Sequence, residues 1–90
     1  FVLKYRLARD KDSGLEVEAT CLADGGRAVR LVRSQAASFG IDKSRVGMLG
    51  FSAGGEVVSA VAFTGAGANP SATDPVDQES SLPDFQAWIY

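Results

Sequence analysis

Val46-Gly47-Met48-Leu49-Gly50-Phe51-Ser52-Ala53-Gly54-Gly55 is the stretch on which the fold turns. Val46 to Leu49 is apolar on both alternating faces, the pattern of a strand covered on both sides in a parallel sheet. Residues 53–63 are apolar nearly all round, with Val57, Val58, Ala60, Val61 and Phe63, which suits a buried helix better than an amphipathic one. Between the two lies Ser52, flanked by Gly50, Ala53, Gly54 and Gly55. A strand that passes straight into a helix brings two backbones close together, so the turn demands small neighbours. Such a turn lifts Ser52 to the carboxyl edge of the sheet in a strained conformation. It also aims the Ala53 N–H and the positive end of the helix at the hydroxyl. Gly50-Phe51-Ser52-Ala53-Gly54 therefore reads as a nucleophile elbow, with Ser52 the attacking group and the Ala53 N–H a donor to a developing oxyanion.

A phosphate-binding turn is the competing reading of the same glycines. The spacing of Gly47, Gly50 and Gly54 does not match Gly-x-Gly-x-x-Gly, and no Gly-Lys-Ser/Thr follows, so neither nucleotide fingerprint is present. Glu56 falls in the first turn of the helix, where the dipole favours a carboxylate, and that accounts for it without a catalytic role.

Outward from the elbow, the elements alternate. Residues 1–7, Phe1-Val2-Leu3-Lys4-Tyr5-Arg6-Leu7, mix β-branched and aromatic side chains and read as a strand, followed by a polar loop at Asp10-Lys11-Asp12-Ser13-Gly14. Residues 15–39 carry helical spacing, with Val29, Val32, Ala36 and Phe39 on one stripe and Arg27, Arg30 and Ser34 turned away. Gly25-Gly26 weakens that helix, and Asp24 is a candidate cap for a helix beginning there instead. Gly40 is the expected stop, with Ile41 folding back on the last turn. Residues 65–83 form a long loop of a kind that often lies near functional sites, and residues 85–90 read as a final strand. Strand, helix, strand, helix, strand at these spacings is a βαβαβ unit of the α/β class, built on a parallel sheet with helices on both faces as three α/β/α layers.

Composition excludes several classes. The apolar share is 46% and the charged share 22%, ordinary for a globular chain, and no run reaches the ~18 to 20 apolar residues of a membrane span. Residues 1–46 carry a charge of +3 and residues 47–90 a charge of −5, but the bases are dispersed rather than clustered with aromatics, which argues against a nucleic-acid partner. Cys21 is a lone cysteine and there is no histidine, so neither an internal disulfide nor the usual zinc site can be assembled, and Cys21 reads as a small buried hydrophobe. No metal and no organic cofactor is implied.

Taken together, these segments resemble the esterase and lipase branch of the α/β-hydrolase superfamily, near the microbial acetyl esterases and acetylxylan esterases. The resemblance rests on Phe1-Val2-Leu3-Lys4-Tyr5-Arg6-Leu7-Ala8, Gly26-Arg27-Ala28-Val29-Arg30-Leu31-Val32-Arg33, Gly40-Ile41-Asp42, Arg45 through Gly55, and Pro83-Asp84-Phe85, in the family's order. It implies that Ser52 is the nucleophile of a serine hydrolase acting on carboxylic esters, small or carbohydrate-linked, through an acyl-enzyme. Arg9 and Glu56 stand where relatives often carry proline and histidine. The resemblance further implies that residues 1–90 are a central part of one hydrolase domain, with an oxyanion loop before residue 1 and the acid and histidine of the triad after residue 90. Without a histidine, the ninety residues by themselves are expected to show no appreciable turnover. A strand that the family places between residues 1–7 and residues 46–49 is not in the sequence. Those two segments are therefore expected either to stand apart or to pair abnormally, with residues 46–49 pairing instead with residues 85–90. A peptidase like prolyl oligopeptidase and a non-catalytic binding module of the same fold are the alternatives.

Overall fold

The computed structural model describes residues 1–4 and 17–89. Four elements position the site: helix α1 (Val17–Ser34), strand β1 (Gly47–Phe51), helix α3 (Ala53–Thr64) and strand β2 (Phe85–Ile89), with a single turn of helix, α2 (Ala36–Phe39), following α1. Strands β1 and β2 run parallel, with Gly47 opposite Phe85 and Phe51 opposite Ile89. The α/β class and the pairing of the elbow strand with the last strand are as the sequence implies.

Helix α1 runs unbroken through Gly25-Gly26, so Asp24 is not the cap of a helix beginning there. The reason is packing rather than propensity. A methyl group at Gly25 would lie 2.8 Å from Val61 Cγ2 and 3.0 Å from Val57 Cγ1, so the missing side chain is what lets α1 and α3 approach. Cys21, Val29, Val46, Val57 and Val61 form the core at this crossing, with Leu22, Val32 and Met48 packed against it. Gly25→Ala would gain about 1 kcal/mol of helix propensity and lose about 1 to 3 kcal/mol to overpacking. A net loss near 1 kcal/mol is expected by urea titration of the intact protein. Val61 is fully buried, and Val61→Ala should make room, so the double variant should lose less than the sum of the two single losses.

Gly40 ends α2 in the left-handed conformation (φ 69°), its N–H donating to Ala37 O while Ile41 N–H donates to Ala36 O. This is the helix stop the sequence indicated. The first strand is different. Residues 1–4 carry no strand, and Tyr5, Arg6 and Leu7, like the polar loop and Leu15, lie outside the described residues. The Phe1 ring packs on Phe39 at 4.7 Å between centroids. A groove of about 700 Å³ separates Phe1, Val2 and Leu3 from β1, floored by Val29, Val32, Met48 and Val57. Among the described residues, 1–4 do not pair with β1; the rest of the segment expected to stand apart from β1 or to pair abnormally, residues 5–7, lies outside them.

Among the described residues both long helices pack on the Met48–Gly50 face of the sheet. The other face presents Leu49, Phe51, Phe85 and Ile89, between 41% and 62% exposed. Of the cover on both sides of the strand that the apolar run implied, the described residues supply one side.

Residues 66–84 are not a free loop. Arg27 reaches Asp77 (2.8 Å) and Asp74 (3.1 Å), Arg30 donates to Glu79 O, and Arg33 donates to Leu82 O. Three arginines at three-residue intervals therefore lay the loop along α1, and Arg27 and Arg30, which the periodicity turned to solvent, hold it there. The loop leaves the far end of α3 and ends beside the start of β1, where Asp84 N–H donates to Val46 O at 2.7 Å. It therefore serves the edge of the sheet opposite Ser52.

The Val76 N–H and then the Arg27 guanidinium hold the Asp74 carboxyl below its ordinary 3.8. A carboxyl depressed in the folded state contributes stability above its unfolded value, and that contribution is lost as pH falls through the folded value. The melting-temperature gap between wild type and Asp74→Asn should therefore narrow as pH falls below the ordinary carboxyl value of 3.8.

Candidate active site

Ser52 stands between the last residue of β1 and the first of α3, with φ 53° and ψ −116°. It is the non-glycine residue with positive φ among those described. A side chain in that region costs of the order of 1 to 3 kcal/mol and persists only where the surroundings impose it. Here they do. Ser52 N–H donates to Ile89 O at 2.8 Å, tying the turn to the neighbouring strand, and Ser52 O accepts from Gly55 N–H at 2.8 Å, closing the first turn of α3. The side chain caps nothing, and the residue is exposed, so the hydroxyl points to solvent at the carboxyl edge of the sheet.

The amide of Ala53, first residue of α3, has no intrahelical acceptor, and among the described residues it donates to no turn or loop carbonyl. Glu56 occupies the first turn, as expected. Ser52 and the Ala53 amide are thus adjacent at a helix N-terminus, an arrangement that stabilises negative charge developing beside the serine oxygen.

The demand for small residues is narrower than the sequence suggested. A Cβ at Gly50 would overlap the carbonyl of Gly54 and crowd the Gly55 nitrogen, whereas one at Gly54 meets nothing within 4 Å among the described residues. One at Gly55 would make an ordinary 3.6 Å contact with Gly50 O. Close passage of strand and helix is therefore concentrated at Gly50. Phe51 points to the opposite face of the sheet and is 62% exposed.

Two contributors escaped the sequence reading. Ile89 O anchors the turn, and a backbone acceptor 37 positions away leaves no trace in the local pattern. Arg33 is buried where the sheet begins, and its regular spacing from Arg27 and Arg30 was the available signal. Among the described residues no group of three or more histidine, cysteine, aspartate or glutamate side chains could hold a metal ion, and no helix is long and apolar enough to cross a membrane.

Two parallel strands joined through a half-buried helix, whose Phe63 is 74% exposed, with a positive-φ serine at the strand-to-helix turn, are a small α/β arrangement. The crystal structure of the acetyl ester-xyloside bifunctional hydrolase from Caldicellulosiruptor lactoaceticus is similar to this chain, with a TM-score of 0.79 and 36% identity over 93% of the chain. The BD-FAE family model matches residues 1–86, and the chain belongs to this family of α/β-hydrolase esterases. The chain spans 29% of the length of the Caldicellulosiruptor hydrolase. No curated protein matches it.

Proposed function

We propose that Ser52 is the nucleophile of a carboxylic-ester hydrolase that works through an acyl-enzyme. The observation that carries this reading is the strained positive-φ backbone at Ser52, held between the end of β1 and the first turn of α3. Ser52 Oγ attacks the ester carbonyl carbon and gives up its proton to a general base. The resulting oxyanion is stabilised by the Ala53 N–H and the positive end of α3. Collapse of the tetrahedral intermediate breaks the C–O bond to the alcohol, which leaves with the proton the base returns. Water, giving a proton to the same base, then adds to the acyl carbon and releases the acid, and that proton goes back to Ser52 Oγ.

The ninety residues contain no histidine, so in this reading the base and its orienting acid come from elsewhere in the protein, and residues 1–90 contribute the elbow to a larger hydrolase domain. Acetyl esters, free or carried on a carbohydrate, are the proposed substrates. The resemblance to a hydrolase described as acting on acetyl esters and xylosides supports that choice.

The test is kcat/KM of the intact protein on paired phenyl acetate and acetanilide substrates, together with acetate release from acetylated xylan. Ester turnover well above anilide turnover is expected. Comparable anilide turnover would point to a peptidase, and no turnover of either, without reaction at Ser52, to a binding module.

A further inference from the structure

Arg33 lies in the last turn of α1, its side chain 8% exposed. Its Nη1 donates to Lys43 O (2.7 Å) and Asp84 Oδ2 (3.0 Å), and its Nη2 to Leu82 O (2.7 Å). Lys43 precedes β1, and Leu82 and Asp84 precede β2, so one guanidinium holds the end of a helix and the approaches to both strands. Among the described residues its Nε has no partner, and the two Nη groups set its place. Asp84 Oδ2 also accepts from Val46 N–H at 2.8 Å, and Asp84 N–H donates back to Val46 O at 2.7 Å. Val46 and Asp84 form the step of the ladder just before Gly47 opposite Phe85.

At the other end, the step just after Phe51 opposite Ile89 is Ser52, bonded through its N–H to Ile89 O. Strand register is normally fixed by which side chains must be buried. Here a charged fork and a carboxylate also clasp the first step of the β1–β2 pair, through Arg33, Asp84 and the Val46 N–H. Each residue of slip would carry the acceptor of the Ser52 amide by about 3.3 Å along the strand.

We infer that Arg33, acting through Asp84, is a positioning residue for Ser52: it sets the β1–β2 register that holds the serine's backbone at the opposite edge of the sheet. The inference rests on Ser52 being the nucleophile.

The experiment uses the intact protein, a fluorophosphonate probe and a phenyl acetate substrate, with Arg33→Met, Arg33→Lys, Asp84→Asn and, as control, Arg27→Ala. Loss of labelling in Ser52→Ala establishes the nucleophile first; if labelling survives there, the proposed function fails before Arg33 is examined. Per labelled site, Asp84→Asn and Arg33→Met are expected to lower kcat and the labelling rate by about 10- to 100-fold. KM should change little, and hydrogen exchange at the Ser52 amide should quicken. Arg33→Lys should recover part of the loss, and Arg27→Ala, which also releases loop contacts from α1, should leave kcat unchanged. Should Arg33→Met fail to fold, Asp84→Asn and Arg33→Lys carry the same test. Unchanged kcat per labelled site and unchanged exchange at Ser52, with only the melting temperature or the labelled fraction reduced, would overturn the inference.

Discussion

Ser52→Ala in the intact protein is expected to lower kcat/KM for ester hydrolysis by on the order of 10⁴-fold or more, with almost no change in stability. The two halves of that expectation have separate causes. Activity falls because the attacking oxygen is gone, and residual hydrolysis then depends on water and whatever oxyanion donors remain. Stability holds because the Ser52 side chain makes no capping hydrogen bond and alanine keeps the Cβ that bears the backbone strain. Ser52→Gly should be equally inactive yet no less stable than Ser52→Ala. Relief of a strain of the order of 1 to 3 kcal/mol offsets the roughly 0.4 to 1 kcal/mol that glycine gains in unfolded-state freedom. A serine placed there for structural reasons alone would show neither pattern. Steady-state kinetics and urea titration of the two variants read both halves.

Gly50→Ala should be the most damaging change of a single methyl group at the elbow. The new Cβ would meet backbone atoms, the Gly54 carbonyl and the Gly55 nitrogen, rather than a side chain that could rotate away. Strand and first helical turn must then move apart, which costs about 3 kcal/mol or more, at or beyond the upper end of ordinary overpacking. The shift falls on the residues that hold Ser52 O and the Ala53 amide, so activity per folded molecule should fall by about 100-fold. Gly54→Ala is the contrast: its Cβ has open space among the described residues, and the substitution should gain about 1 kcal/mol of helix propensity. Denaturation midpoints of the two variants, moving in opposite directions, test where strand and helix make their close approach.

Local chemistry was the part legible in the sequence. The apolar run into β1, the small residues at the turn and the uniform hydrophobicity of α3 located Ser52 to the residue, and Gly40 marked the helix stop where it occurs. What escaped depends on distant partners. Gly25-Gly26 looked like a weakness in α1 because propensity is read along the chain, whereas Gly25 answers to Val57 and Val61 on another helix. Arg27 and Arg30 looked like a solvated face because their acceptors lie 47 to 50 positions away in a loop with no regular pattern. The same loop, placed by its length among segments that often serve a site, runs instead to the opposite edge of the sheet, since α3 must return the chain there before a parallel strand can begin.

The most direct test is peptide mapping by mass spectrometry of the intact protein after reaction with a fluorophosphonate. The elbow geometry requires one adduct, on the Ser52 oxygen, formed in step with the loss of ester hydrolysis. An adduct on any other residue, or full inhibition with Ser52 unmodified, would contradict it.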